Sequence, residues 1–527
     1  MTGSNDTRYN ELLVQAMAGR LNRREVLRRS VMLGLSIPAI GALLAACGDD
    51  EEDPVVDEVD PTEPAGAAET EPADEATATE GEAEESPTEA DAESSPTEAG
   101  MTASPDASPT ESMAGGEMDI EVAPDVPNAD EASAYSGASL TYYGDGVGIG
   151  NELDETLAAK FTEATGIEIE VIPRPESATE TYATYQRAFD AQSGDIDVMM
   201  VDVIWPGAFA PHLLDLGPAF EGVTDQWYES IVENNTIDGA LVGAPWFGDF
   251  GILYYRTDLL ETYGYDGPPT TWDELEEMAT TIMEGEAANN PNFAGFVFQG
   301  NAYEGLTCNA LEWIASVGGG TIVEDGEVTI DNDEAKAILD QIGSWVGGIV
   351  PTGVTGYQEE DARNAFQGGN AAFMRNWPYA YSLGQADDSA VAGMFDVTGL
   401  PTGEGMDPVG TLGGWQLAVS SYSEEPEAAT EFVKYMVSPE VVKWRAIVAS
   451  FVPLTIAVAE DPEVIAAQPY LENLAGVTRV ARPSQATGEN YNQVSTEFFQ
   501  GVNEILTGGS AEEIIPSVAQ RIERLLG

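Results

Sequence analysis

A long acidic segment divides this chain into three parts. Residues 49–131 contain 29 Asp and Glu residues and no Lys or Arg, and they consist mainly of Glu, Asp, Ala, Thr, Ser and Pro. The segment has no aromatic residue and repeats motifs such as Ser86-Pro-Thr-Glu-Ala. Such a stretch cannot bury enough apolar surface to offset the entropy lost on ordering. We therefore expect a disordered, self-repelling tether over residues 47–136, with a functional acidic binding segment as the alternative.

The charge of the chain argues against nucleic-acid binding. Its 527 residues include 20 Lys and Arg against 93 Asp and Glu, for a formal net charge of −73. Neutralising phosphates requires a basic face, which this composition does not provide. Residues 132–527 are also acidic, with 61 acids and 14 bases. Acid spread over a whole surface indicates adaptation to the solvent, for example to high salt.

The first 46 residues have the layout of an export signal. The pair Arg23-Arg24 precedes an uncharged stretch from Ser30 to Ala46, and Cys47 follows directly. The segment resembles a twin-arginine export signal ending in a bacterial lipobox, whose cysteine is lipidated. A transmembrane anchor is the alternative, because 17 uncharged residues approach the length of a spanning helix. We expect a location at the extracytoplasmic face of the cell membrane, with a lipid anchor on Cys47.

Strand and helix patterns alternate from Ala138 onward. Strand patterns cover residues 139–143, 167–172, 196–201, 251–255 and 295–299, and helical patterns cover 153–162, 180–192 and 272–283. This order predicts the α/β class with right-handed βαβ units and parallel strands. About 390 residues are too many for one sheet, so we expect two lobes. Ligands of such proteins collect at the carboxyl ends of strands, in the crevice between lobes.

Motifs for catalysis and metal binding are missing from the sequence. One His and two Cys cannot build a Cys₂His₂ or Cys₄ zinc site. The glycines at 144, 146, 148 and 150 have the wrong spacing for a phosphate loop and predict a flexible turn at a cleft. We expect His212 to be structural and Cys308 to be a buried, inert thiol. The sequence thus predicts no catalytic residue, no metal and no cofactor.

Several aromatic residues stand beside Gly, Pro, Asn or acid, outside any helix or strand periodicity. The segments are Trp205-Pro, Trp246-Phe-Gly-Asp, Asn376-Trp-Pro-Tyr and Gly413-Gly-Trp. A neutral sugar stacks its C–H face on an aromatic ring, while its hydroxyls bond to Asp, Asn or Arg. The alternative for each ring is an ordinary core position. Together the segments favour a carbohydrate-binding cleft, and an exported glycosidase remains the alternative from another class.

Several segments between about Leu140 and Gly527 together carry a family resemblance. They are Phe161-Thr-Glu-Ala-Thr-Gly-Ile, Gly194-Asp-Ile-Asp-Val, Pro245-Trp-Phe-Gly-Asp-Phe-Gly, Tyr303-Glu-Gly-Leu-Thr-Cys-Asn, Ala371-Ala-Phe-Met-Arg-Asn-Trp-Pro-Tyr and Gly413-Gly-Trp-Gln. With these segments the sequence resembles the extracellular solute-binding proteins of carbohydrate ABC transporters, in particular trehalose/maltose-binding members. The resemblance implies a type II periplasmic-binding-protein fold in which two α/β lobes, joined by crossover hinge segments, close on sugar. We expect the first lobe over about 137–246 plus 380–428, and the second over about 247–379 plus 429–527.

The resemblance also implies partners and binding residues. The partners would be a small-molecule sugar, ABC permease subunits and, through the lipid, the membrane, with the protein itself a monomer. A cationic solute such as a polyamine is a further alternative ligand. At position 247, Phe stands where a Tyr is often found, which removes one hydroxyl contact. The implied sugar-binding residues are Glu152, Asp202, Phe247, Asp249, Glu304, Trp377, Tyr379, Gly414, Trp415 and Arg482.

Overall fold

The computed structural model describes Ile120 and residues 122–527. The predicted export signal, Cys47 with its predicted lipid anchor, and most of the predicted tether lie outside these residues. Within the described part of the chain, no helix is both long and apolar enough to span a membrane.

The described chain alternates between strands and helices. The strands are β1 Ser139–Gly144, β2 Glu168–Pro173, β3 Val198–Asp202, β4 Thr236–Ile237, β5 Ala240–Leu241, β6 Ala244–Phe250, β7 Ile252–Arg256, β8 Ala294–Val297, β9 Val323–Glu324, β10 Glu327–Val328, β11 Ala371–Asn376, β12 Phe395–Thr398, β13 Val409–Val419 and β14 Thr478–Val480. The helices are α1 Ala129–Ala132, α2 Gly150–Thr165, α3 Ala178–Asp190, α4 Pro206–Phe209, α5 Glu229–Asn234, α6 Thr257–Tyr263, α7 Trp272–Glu286, α8 Glu304–Ser316, α9 Asp333–Trp345, α10 Glu359–Gln367, α11 Ala380–Gly384, α12 Pro426–Met436, α13 Pro439–Ala449, α14 Ile456–Ala459, α15 Pro462–Ala467, α16 Ser484–Thr487, α17 Tyr491–Leu506 and α18 Ala511–Leu526.

Local sequence signals explain where the predicted helices begin and end. Helix α7 begins after Thr271, whose hydroxyl accepts from the backbone N–H of Glu274 while the Glu274 side chain accepts in return. This capping box satisfies N–H groups that the first helical turn leaves without partners. Helix α2 ends at Gly166, which adopts a left-handed φ of 75° that glycine reaches without strain.

The first sheet forms the core of the first lobe. Its strand order is β14-β13-β3-β1-β2, and β6 pairs with β13 as a sixth strand. Strand β1 is parallel to β2 and β3, whereas β13 is antiparallel to β3 and β6. Trp415 of β13 stands opposite Asp202 of β3 and Phe247 of β6. Strand pairing thus brings three of the expected binding residues to the carboxyl end of β3.

The second sheet forms the core of the second lobe. Its strand order is β12-β7-β11-β8, with β11 parallel to β8 and β7 antiparallel to both of its neighbours. Helices α8, α9, α17 and α18 contribute Leu311, Ile342, Val502 and Ile515 to its hydrophobic core. Burying these apolar faces is the main driving force for docking the helices on the sheet.

Three segments of the described chain cross between the lobes. Gly251 alone separates β6 of the first sheet from β7 of the second, and the other crossings run from β12 to β13 and from β14 to α17. A Cβ atom at Gly251 would lie 1.9 Å from Oε1 of Glu312. The chain therefore needs glycine at this crossing, because any side chain would collide with the buried carboxylate.

The expected lobe boundaries need correction in two places. Strand β12, assigned from the sequence to the first lobe, pairs with β7 in the second sheet. Helices α12 and α13, assigned mostly to the second lobe, pack on the first. The Phe432 ring of α12 lies 5.5 Å from Tyr142 of β1 and 5.2 Å from Phe161 of α2. Helical periodicity shows that a face is buried but not which sheet covers it.

The packed part of the chain also begins earlier than expected. Residues 122–136, which the sequence placed in the tether, include α1 and bury Ala123, Val126 and Ala132. The side-chain amide of Asn128 donates to Oε2 of Glu431 in α12 at 2.7 Å. The expected boundary at residue 136 was wrong because this stretch continues the composition of the acidic segment while supplying a few apolar anchors.

Candidate functional site

A cavity lies between the two lobes and is lined by residues of both. The atom-free space of the cavity, including its open mouth, is about 640 Å³. Nine of the ten residues expected to bind sugar line it: Asp202, Phe247, Asp249, Glu304, Trp377, Tyr379, Gly414, Trp415 and Arg482. Segments distant in sequence therefore converge on one site.

Glu152 is the exception. It is exposed in the first turn of α2 and does not line the cavity, so its assignment to the site was wrong. The acid that faces inward from this helix is Asp154, two residues later, which is fully buried. Its Oδ2 accepts from the backbone N–H of Asp145 at 2.7 Å, and Asp145 itself lines the cavity.

Sequence reasoning missed several residues of the cavity wall: Asp145, Arg174, Glu176, Glu359 and Phe451. Asp145 and Arg174 directly follow β1 and β2. Polar residues at the carboxyl ends of neighbouring parallel strands are a signal that could have found both. The glycine-rich turn after β1 packs against this region, because a Cβ at Gly146 would lie 2.0 Å from the carbonyl oxygen of Arg174.

Trp415 provides the aromatic wall of the first lobe. The guanidinium carbon of Arg174 lies 4.0 Å from the centroid of its ring. Arg174 also donates to Oδ1 of Asp145 at 3.2 Å, which offsets the cost of burying its charge. Trp205 contacts Trp415 edge-on with centroids 5.5 Å apart. The ring is therefore held on several sides, while Trp415 and Arg174 both remain part of the cavity wall.

Trp377 provides the matching wall of the second lobe. The guanidinium carbon of Arg375 lies 3.9 Å from the centroid of its ring. The indole N–H points to Oε1 of Glu359 at 3.4 Å. Tyr254 donates its hydroxyl to the backbone carbonyl of Trp377 at 2.8 Å. The ring face, the indole N–H and the backbone carbonyl of Trp377 therefore each have a contact, so the orientation of the ring is well defined.

Phe247 forms a third aromatic surface with Phe451. Their ring centroids are 4.5 Å apart, and both line the cavity. Arg445, which is only 1% exposed, lies behind them with its guanidinium carbon 3.9 Å from the centroid of Phe451. The same guanidinium covers Trp246, one of the aromatic residues singled out in the sequence, which proves to be a core residue outside the cavity wall.

Arg482 joins the two lobes at the floor of the cavity. It donates to Oδ1 of Asp202 in the first lobe at 2.6 Å and to Oε1 of Glu304 in the second at 2.9 Å. Burial raises the pKa of Glu304, and the Arg482 guanidinium opposes this rise. Tyr491 and Ser495 donate further hydrogen bonds to the Glu304 carboxylate. Arg482, expected from the sequence to clamp the ligand, thus forms a buried ion pair that bridges the two lobes.

Asp249 differs from the other carboxylates of the site. Its Oδ1 has no hydrogen-bond partner among the described residues, although it is shielded from solvent. Burial raises the pKa of Asp249 well above its usual range, because the charged form loses its hydration. A shielded acceptor without a partner costs free energy, which a hydroxyl or ammonium donor on a ligand would recover.

The lobes also touch beside the cavity. The backbone N–H of Glu304 donates to Oγ1 of Thr179 at 3.1 Å, and that of Glu360 donates to Oε1 of Glu176 at 3.0 Å. Thr179 and Glu176 belong to the first lobe, whereas α8 and α10 belong to the second. The structure thus shows the two lobes in contact over the cleft.

The two residues expected to be structural have that role. The His212 ring stacks on Phe189 with centroids 4.8 Å apart, and its Nδ1 lies 2.7 Å from the Tyr422 hydroxyl. Cys308 is 2% exposed, and burial raises the pKa of its thiol, which opposes formation of the reactive thiolate. Cys308 nevertheless forms part of the cavity wall.

Comparison with known proteins identifies the family of this fold and site. The profile of the family described as bacterial extracellular solute-binding protein matches residues 145–443, more than half of the chain. The chain belongs to this family. The resemblance inferred from sequence segments is therefore confirmed at the level of the family.

Individual relatives of the binding protein agree. A probable ABC transporter-binding protein of Deinococcus radiodurans is 45% identical over 386 residues, covering 72% of this chain and 91% of the relative. Maltose-bound MalE3 of T. maritima is 41% identical with a TM-score of 0.70, covering 74% of this chain and 100% of that structure. A solute-binding protein of Thermotoga lettingae bound with α-D-tagatose is 26% identical with a TM-score of 0.65, at coverages of 74% and 100%. These matches confirm the predicted two-lobed α/β fold.

Proposed function

We propose that this binding protein captures a neutral di- or oligosaccharide, of the trehalose or maltose type, and delivers it to an ABC permease. The observation that carries the proposal is the pair Trp377 and Trp415, which line one cavity from opposite lobes. Aromatic rings stack on the C–H faces of sugars, and the surrounding carboxylates and guanidinium groups bond to hydroxyls. The maltose bound to MalE3 of T. maritima supports this ligand class.

The expected binding residues have distinct roles in this proposal. Trp377, Trp415, Phe247 and Tyr379 provide rings, and Gly414 lets β13, which carries Trp415, pack closely against β6. A Cβ at Gly414 would lie 2.6 Å from the carbonyl oxygen of Phe247. Asp249, whose Oδ1 has no hydrogen-bond partner within residues 122–527, accepts a sugar hydroxyl. Asp202, Glu304 and Arg482 form the buried floor that joins the lobes.

We propose binding without catalysis. Five of the six carboxylates of the cavity wall already serve other groups, which leaves Asp249. Asp145 pairs with Arg174, Asp202 and Glu304 pair with Arg482, Glu176 accepts from the backbone N–H of Glu360, and Glu359 accepts from Tyr303 at 2.6 Å. A glycosidase needs one carboxyl group to protonate the leaving oxygen and a second to act as nucleophile or base. The relatives named above are transporter-binding proteins, which also fits a non-enzyme.

A titration separates the candidate functions. Trehalose, maltose, sucrose and glucose are added to the protein while its melting temperature and heat of binding are followed, since a ligand stabilises the state that binds it. We expect a disaccharide to raise the melting temperature and to be recovered intact. Release of monosaccharide would indicate the glycosidase instead.

A polyamine is the control ligand in this titration. The cavity wall contains six carboxylates, Asp145, Glu176, Asp202, Asp249, Glu304 and Glu359, against two guanidinium groups, Arg174 and Arg482. This excess of acid is the observation that favours a cationic solute. Stabilisation by spermidine with no response to any sugar would replace the proposed ligand class.

We further propose that the protein is a lipoprotein held at the outer face of the cell membrane through Cys47. The support is sequence alone, since a small-residue segment precedes Cys47 directly after an uncharged stretch. Cys47→Ser should move the protein from the membrane fraction to the culture medium, with sugar binding unchanged. Retention of the variant in membranes would favour a spanning anchor instead.

A further inference from the structure

Arg375 and Glu312 form an ion pair in the interior of the second lobe. Both side chains are completely shielded from solvent, and neither lines the cavity. Arg375 donates through Nε to Oε2 of Glu312 at 2.8 Å and through Nη2 to Oε1, a bidentate arrangement. Its Nη1 donates to Oε1 of Gln299 at 3.0 Å. The guanidinium is thus fixed in position and in plane.

The flat face of this fixed guanidinium covers the Trp377 ring. The separation of 3.9 Å between the guanidinium carbon and the ring centroid is that of a close cation–π contact. Because one face of the indole is covered, a sugar can stack only on the opposite face. The tilt of that face follows the plane in which Glu312 and Gln299 hold Arg375.

The same carboxylate contacts the crossing between the lobes. Oε1 of Glu312 accepts from the backbone N–H of Thr411 at 3.0 Å. Thr411 belongs to β13, four residues before Trp415. Gly251, the single residue between β6 and β7, packs against Oε1 so closely that it tolerates no side chain. One buried ion pair therefore contacts the Trp377 ring, the strand that carries Trp415, and a crossing segment.

Stability alone does not account for such a pair. Replacing a buried ion pair by apolar residues of similar volume is often neutral or stabilising, because desolvation offsets the attraction between the charges. A charged fork instead sets a definite geometry, which loosely directional apolar packing does not provide.

We propose that Arg375 and Glu312 are positioning residues, which orient Trp377 and the Trp415 segment of β13 for stacking on the ligand. The effect on ligand binding rests on the proposed function, whereas the orientation of the Trp377 ring does not. Arg375 acts through Trp377, and Glu312 acts through Arg375 and Thr411.

The first test follows the Trp377 ring without any sugar. The full chain is labelled with 5-fluorotryptophan, and of its nine tryptophan signals the one lost in Trp377→Phe is assigned to Trp377. Arg375→Lys keeps the charge but loses the planar fork. We expect Arg375→Lys and Glu312→Gln to shift or broaden the Trp377 signal in the folded protein. Arg256→Lys is the matched control, because Arg256, the last residue of β7, forms a similar fork with Asp258 of α6 and does not line the cavity.

The second test measures affinity in a double-mutant cycle. Arg375→Lys should weaken disaccharide binding by about 5- to 30-fold, the equivalent of a desolvated cation–π contact. The same substitution should have little further effect in a Trp377→Ala background, because the ring through which it acts is gone. Unfolding in urea without sugar reports any loss of stability separately.

Each outcome decides the proposal. An unmoved Trp377 signal in Arg375→Lys overturns it whether or not the protein binds sugar. An equal loss of affinity in both backgrounds also overturns it. A wild-type protein that binds none of the sugars contradicts the proposed function, while the fluorine spectrum still decides the positioning role.

Discussion

The two tryptophans of the cavity are held in similar ways with one important difference. Each has a guanidinium within about 4 Å of its ring centroid: Arg174 on Trp415 and Arg375 on Trp377. Arg174 and its partner Asp145 both line the cavity, whereas Arg375 and its partner Glu312 lie entirely behind it. The first lobe therefore offers a ligand both a ring and a cation. The second offers a ring whose orientation is fixed from inside.

This difference indicates that two similar guanidinium–indole contacts can have different roles in ligand binding. A guanidinium in the cavity wall can bond directly to ligand hydroxyls, so its removal should act on binding in its own right. A guanidinium behind the ring can act only through that ring. The following predictions test this contrast between the two halves of the site.

The largest effect is expected where the two halves meet. Arg482→Met should lower the free energy of unfolding by about 3–5 kcal/mol, because it leaves the buried carboxylates of Asp202 and Glu304 without their cation. Urea unfolding measures this loss. Arg521→Met is the control, since Arg521 forms a partly exposed pair with Glu497 and should change stability by less than about 1 kcal/mol. Similar values for both variants would show that the lobes do not depend on the Arg482 junction.

The next effect concerns the two rings. Trp377→Ala and Trp415→Ala should each weaken sugar binding by roughly 1–3 kcal/mol through loss of stacking area. Calorimetric titration measures this change, and circular dichroism checks that the fold is retained. Trp313→Phe, a conservative change at a buried tryptophan outside the cavity wall, is the control. Unchanged affinity in both alanine variants would remove the site assignment.

A third effect should be specific to the first lobe and depend on pH. Burial raises the pKa of Asp154 to about 6, with Arg445 opposing the rise and Asp145 adding to it. In the unfolded chain the pKa of an Asp is about 3.9, so between these values the native state holds a proton that the unfolded state has lost. Stability therefore falls as pH rises through this window, by about 2 kcal/mol from pH 4.5 to pH 7.

Asp154→Asn isolates this contribution from the many other acids of the chain. The variant should lack the fall of about 2 kcal/mol, so that its stability relative to wild type increases from pH 4.5 to pH 7. Urea unfolding at the two pH values provides the comparison. The same pH slope in wild type and variant would show that Asp154 does not titrate in this window.

The smallest effect separates the two arginines. Arg174→Lys should cost about 1 kcal/mol of binding free energy both in the wild type and in Trp415→Ala, because Arg174 also faces the ligand. Arg375→Lys should lose its effect once Trp377 is removed. Titrations of the four single variants and the two double variants reveal this contrast. If the loss of binding free energy caused by Arg174→Lys disappeared in the Trp415→Ala background, Arg174 would act only through its ring. The two lobes would then not differ in this respect.

The local parts of this structure could be predicted from the sequence. Alternating strand and helix patterns gave the α/β class because periodicity is a local property of each segment. Trp377 and Trp415 were found because their neighbours Pro378 and Gly414 interrupt regular periodicity. Similarly, Asp249 follows a glycine in an aromatic segment.

The long-range parts were not predictable in the same way. Glu152 was chosen where Asp154 faces inward, since a position in a helical segment does not by itself reveal which face meets the site. Arg375 has the sequence context of an ordinary strand residue, and its partner Glu312 lies 63 positions away. The lobe assignment of β12 and α12 likewise depends on which sheet each element joins, which no local pattern encodes.

The packing of residues 122–136 on the first lobe determines which lobe a force on the N-terminal part of the chain would reach. This segment is fastened to the first lobe, where Asn128 bonds to Glu431 of α12. A force applied to the chain at residue 122 would therefore act on the first lobe. It would not act directly on β7, β11 or the rest of the second sheet. In the proposed lipoprotein, the second lobe can therefore move against the first without displacing the point of attachment.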